Sequence, residues 1–241
     1  MVSQEKRAQT QRGKALFPFI VLGIGISLSV LLHFVIQDNV EGEAQLRFER
    51  QASDAKHVIE QRVRSYTDVI YGLGALFRTS EFVSRAQFHH YVTGLDLERR
   101  YPGFQIINYA EYVASNKKRE FEARVRHDTS LDPRGYPNFS IKPAGDRPVH
   151  YVLTYLEPME GNDFSFGLDI GAPPFRPDAL ERARDNGELI SSGRLVLVQG
   201  PNRHVGISMR LPVYRLGHPV GTVEQRRAAY AGSIGAGGTR N

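Results

Sequence analysis

Residues 101–113, YPGFQIINYAEYV, decide how the larger part of this chain folds. Tyr101-Pro102-Gly103 is a turn, because proline presets one backbone angle and glycine frees another. Residues 104–113 then run FQIINYAEYV, rich in aromatic and branched side chains and carrying a single charge, Glu111; this reads as a buried strand. Downstream, 116–127 has the spacing of a short charged helix, and 132–148 is a loop rich in proline and glycine. HYVLTYL at 150–156 and FSFGLDI at 164–170 read as strands. Residues 177–186 form a punctuated helix, with proline near the start and Gly187 just past the end. Strands follow at 195–198, 205–214 and 220–223, and upstream 81–99 reads as a helix capped by Ser80 or Ser84. This order of elements predicts an α+β domain with an antiparallel sheet.

Further upstream, proline is absent from 38–80 and apolar positions recur at helical spacing. Phe48, Ala52, Ala55, Ile59, Val63, Tyr66, Ile70, Leu73 and Phe77 make a heptad-like seam, read as a long stalk helix over 37–80. The seam can pack on its own domain or pair with the same seam of a second copy, and near its start a homodimer is expected. Before the stalk, 15–36 reads ALFPFIVLGIGISLSVLLHFVI, 22 residues without a permanently charged side chain. At roughly 1.5 Å per residue this spans about 33 Å, enough for a hydrocarbon layer of ~30 Å. It is longer than the apolar core of a cleaved leader and ends in Gln37-Asp38-Asn39, so an uncleaved transmembrane helix is expected. Lys6, Arg7, Arg12 and Lys14 precede it, whereas Asp38, Glu41 and Glu43 follow. The positive-inside rule then puts tail 1–14 in the cytoplasm and everything after Gln37 outside.

Charge and cysteine narrow the field. The net charge is +5, yet four of the 31 basic residues precede the apolar stretch, leaving 27 against 25 acidic ones beyond it. The large part is nearly neutral and lacks the basic surface of a nucleic-acid binder. With no cysteine there is no disulfide framework, thiol nucleophile or thiolate metal site.

Several segments are specific in combination: YPGFQIINYAEYV, Phe121-Glu122, YLEPMEGNDFSFGLD, ALERARDNGELI, LVLVQ, LPVY and GTVEQRRAAYAGSIG. In order and spacing they resemble the CHASE domain, an extracytoplasmic sensor of transmembrane receptors such as cytokinin-receptor-like histidine kinases and diguanylate cyclases. The resemblance covers about 73–234. It implies a stalk helix followed by PAS-like α/β modules with a small-molecule ligand, and places the chain in a bacterial inner (cell) membrane with a periplasmic or extracellular sensor at 81–241. It further implies that Asp169, at the end of FSFGLD, binds the ligand, with Phe104, Tyr155, Ile190 and Leu197 on neighbouring strands as apolar lining. The plant pattern is left around 201–204, so the ligand is purine-like or another small molecule. Asp169 beginning a turn, and the four apolar residues as ordinary core, are the alternatives.

Catalysis is not expected. His89 and His90 are neighbours on a helix and point apart, and His150, His204 and His218 are isolated. GxSxG, GxxxxGK[ST] and HExxH are absent, and neither a cofactor nor a metal is expected. The family continues with a second PAS-like module, a returning span and an output domain. After Ile234 this chain reads GAGGTRN, expected as a departure that leaves the sensor truncated and its last strands with an open edge. The expected function is the membrane-anchored ligand-sensing portion of a receptor; the alternative is a membrane-tethered binding module without signalling of its own.

Overall fold

A computed structural model describes the backbone of residues 2–173, 175, 177–199 and 202–239, and the side chains of 21–33, 45–173, 175, 177–191 and 208–237. It divides into two units, Met1–Arg62 and Val63–Asn241. Helix α1 (Val2–Thr79) begins in the first and ends in the second. The absence of proline over the stalk lets it continue, and Gln45 to Glu49 and Lys56 to Glu60 pair one turn apart on its surface. Among the described residues no helix is long and apolar enough to cross a membrane. Residues 15–20 and 34–36 of the expected span have side chains outside the described set.

The second unit is built on a five-stranded antiparallel sheet, confirming the α+β class. Its strands are β1 (Ile106–Ala114), β2 (Val149–Glu157), β3 (Ile190–Gln199), β4 (Asn202–Tyr214) and β5 (Tyr230–Thr239), in spatial order β2-β1-β5-β4-β3. Ile107, Tyr109, Tyr155, Leu211, Val213 and Ile234 share one face and pack against Ile70, Leu73 and Phe77 of α1 and Phe88 of α2 (Arg85–Gly94). Farther along that face, Val113 and Val152 meet Phe121 and Val125 of α4 (Lys118–Arg126). The opposite face carries Ala110, Leu153, Tyr151 and Tyr230, and Leu180 of α5 (Asp178–Asn186) packs on the two tyrosines. Helices on one side and α5 with its preceding loop on the other make three layers.

Local chemistry explains most element ends. Ser84 opens α2 with a reciprocal capping box to Gln87. Asp96, left-handed at φ 52°, separates α2 from the short α3 (Leu97–Arg100), so the expected single helix over 81–99 is broken in two. Gly187, at φ 78°, ends α5 as expected. The strand expected at 220–223 is instead the approach to α6 (Val223–Ala229), where Thr222 forms a second capping box with Gln225.

Two further expectations are corrected. The segment 164–170 is not a full strand. It begins in a short 3-10 turn, bridges β2 at Val152 with Asp169, and meets Lys142 of the preceding loop at Leu168. The segment covers the free edge of β2, with Gly167 donating to Leu153 O and Ile170 to Tyr151 O. The final residues do not leave an open edge either. Tyr230–Thr239 is the central strand, bonded to β1 on one side and β4 on the other. Glycine normally weakens a strand, but here Gly235 provides room for a neighbouring guanidinium.

Candidate functional site

The sheet register lines up a row of residues across all five strands on the α5 side. Ile190 pairs with Arg210, Arg210 with Gly235, Gly235 with Asn108, and Asn108 with Leu156. Directly paired residues share a face, so Arg210 lies between Ile190 and the backbone of β5. Its guanidinium rests against Gly235, where any side chain would collide with it, and Nη1 donates to Asn108 Oδ1 at 2.7 Å. Arg210 is only 7% exposed and Asn108 only 4%.

A second row, nearer α5, is aromatic. Tyr214 pairs with Tyr230, and Tyr112 with Tyr151, while the Tyr112 and Tyr230 rings meet edge to face with centroids 5.4 Å apart. The Tyr214 hydroxyl donates to Arg184 O, tying β4 to α5. Burial pushes the Tyr151 hydroxyl up to about 12 and Tyr230 well above the ordinary phenol range, so both stay protonated. Among the described residues Tyr151 Oη has no hydrogen-bond partner, and the buried Tyr230 Oη and Ser233 Oγ have none beyond each other. Buried polar atoms are almost always partnered, so these hydroxyls on one face near a buried cation make this region the candidate site.

The expected ligand residues are not gathered around one cavity. Ile190 stands beside Arg210 in the row described. Tyr155 is on the opposite face, its hydroxyl donating to Val83 O at 3.0 Å and raised to about 12 by burial. It lines a cleft of about 290 Å³ with Phe77, Glu111 and Tyr214. Phe104 packs on the same core and stacks near Tyr66, with ring centroids 4.5 Å apart. The Leu197 side chain lies outside the described residues.

Asp169 is fully buried at the covered edge of β2. Its Oδ1 accepts from the N–H groups of Tyr151 and Gly171, both at 3.0 Å. Its Oδ2 accepts from His150 Nδ1 at 2.8 Å and, more weakly, from Arg147 Nη1 at 3.4 Å. A ligand donor would have to displace one of these four.

Sequence reasoning missed Arg210, Asn108, Ser233 and the tyrosine row. An arginine inside the apolar run VGISMRLPVY was the available signal, since a charge among strand residues is rarely buried without purpose. A second buried arginine, Arg85, has a structural environment. It donates to Thr154 O at 2.8 Å and Asp128 Oδ2 at 3.1 Å, and lies over the rings of Tyr136, Tyr155 and Phe166. His89 Nδ1 meets Glu157 Oε1 at 2.8 Å, and His90 Nδ1 meets Ala86 O. Among the described residues no group of three or more His, Asp or Glu side chains converges for a metal.

Residues 81–237 match the family model of the CHASE domain. The chain therefore belongs to the CHASE domain family, the sensor modules of signal-transduction receptors. It is also similar to hybrid signal transduction histidine kinase A of Dictyostelium discoideum, with 24% identity over 222 residues. That match covers 86% of this chain but 10% of the kinase, whose sensor region is what the two share. No catalytic domain is shown by the match.

Proposed function

We propose that this chain is the ligand-sensing part of a membrane receptor, with a small molecule bound on the α5 side of a PAS-like sheet. The observation that carries the reading is the buried Arg210, which among the described residues meets no carboxylate, beside the buried hydroxyls of Ser233, Tyr230 and Tyr151. Ligand sites combine a mostly apolar wall with a few convergent polar groups, which is the composition of this face. Asp169 stands one layer behind, holding the Tyr151 backbone and His150, so its role is to position the aromatic row.

Membrane anchoring belongs to the same reading. Val21, Leu22, Ile24, Ile26, Leu28, Val30, Leu31 and Leu32 are each about half exposed or more, on every side of one helix. A helix apolar all round needs a lipid or protein environment. Along the stalk Phe48, Ile59 and Val63 are also exposed, which favours pairing of two copies through the seam.

Thermal-shift screening of the full chain in detergent with purines and small metabolites tests the binding site. Any stabilising compound should lose its effect in Ser233→Leu, which fills the site, and retain it in Tyr155→Phe on the other face. Stabilisation unchanged in Ser233→Leu contradicts the placement.

A further inference from the structure

Arg210 carries a charge that its surroundings do not answer. Among the described residues no carboxylate lies within ion-pair distance of it, and its polar contact is the neutral Asn108. Burial pulls its pKa down to about 10, opposed only by Tyr230, so at neutral pH the guanidinium remains protonated. A guanidinium has five N–H donors in a planar fork, and here one on Nη1 is directed to Asn108. Arg85 shows what a structural arginine looks like in this domain: a carboxylate partner, a carbonyl partner and three rings.

Arg184 acts on both Tyr151 and Tyr230, and Arg210 on Tyr230. Arg184 is already paired with Asp185 at 2.7 Å. Among the described residues the site therefore holds one positive charge without an acidic partner. A carboxylate would neutralise it and accept in a bidentate manner from the guanidinium fork. The buried hydroxyls of Ser233 and Tyr230, which among the described residues face only each other, would supply further donors. A phosphate, at about −1.5 to −2, would instead leave an excess negative charge in a dry site.

We propose that this site recognises the carboxylate of a small monoanionic molecule through Arg210, Ser233 and Tyr230. The proposal rests on the ligand-site reading above and adds the chemical class. It assigns Gly235 a purpose, since a side chain there would push the guanidinium from its seat. It also gives Ile190 an apolar role beside the recognised group.

The test measures thermal stabilisation of the full chain in detergent by propionate, pyruvate and benzoate, by the matching amides, by adenine and by inorganic phosphate. The expected result is stabilisation by at least one carboxylate, with its amide binding at least about tenfold more weakly. Arg210→Gln should abolish the effect. If that variant fails to fold, the carboxylate–amide comparison on the unaltered chain decides by itself. Equal stabilisation by the amides, or by adenine alone, overturns carboxylate recognition and leaves the ligand site standing. Stabilisation by phosphate above every carboxylate overturns the monoanion. No stabilisation by any compound counts against the ligand-site reading as well.

Discussion

Arg85 and Arg210 are both buried guanidinium groups, and what surrounds each determines what its loss should do. Arg85 bridges Asp128 and the carbonyl of Thr154, the residue at which the pairing of β1 and β2 shifts register. Burial alone would raise Asp128, but hydrogen bonds from Ser130 and the Arg85 charge hold it below the usual carboxylate range. Arg85→Ala should therefore cost about 3 kcal/mol, measured by urea denaturation, because it strands a carboxylate and a buried carbonyl. For Arg210 the expectation differs. Its removal relieves an uncompensated charge, so the unliganded chain should lose little stability while ligand response disappears. The sequence shows Arg210 inside an apolar run but not which of the two arginines finds a carboxylate. Burial of a charge emerges only when strands from distant parts of the chain are brought into register.

At the scale of elements, caps and punctuation were readable because they are local. Gly187, the proline before α5 and the Ser84 cap act within a turn of helix, and the structure places all three as expected. The glycine-rich end was misjudged because its strand character comes from two neighbours distant in sequence, β1 and β4. The α5–α6 clamp was also invisible. Arg227 donates to both oxygens of Asp185, Arg184 donates to one of them, and Arg226 Nε donates to the Asp185 carbonyl. The hydrogen bonds from Arg227 and Arg184 hold the Asp185 carboxyl well below its usual range. A lowered carboxyl pKa means that the unfolded chain binds the extra proton more readily, so the contribution to stability is full above about pH 4 and fades below it. With Arg227 half exposed, Asp185→Asn should cost about 1 kcal/mol at pH 7. The gap from the unaltered chain should close as denaturation is repeated toward pH 2. A gap independent of pH would mean that the clamp does not work through charge.

For the molecule as a whole, the α+β class and the family follow from patterns that survive in order along the chain, and residues 81–237 carry them. The proposed binding face does not follow, because it is assembled from β1, β4, β5 and α5 together. The stalk predicts that cysteines placed at Ala52 and at Ala55 in a chain otherwise free of cysteine will give disulfide-linked dimers in membranes. Cross-linking at neither position would argue against pairing through this seam. The central claim, a sensor domain whose ligand sits between α5 and the sheet, is tested most directly by hydrogen–deuterium exchange of the full chain with and without a stabilising compound. Protection should concentrate in peptides covering 208–213 and 230–237 and in α5, where Arg210, Ser233 and Tyr230 stand. Protection confined instead to the cleft of about 460 Å³ formed by Asp132, Tyr136, Ser140 and Phe166 would place the ligand elsewhere and contradict the assignment.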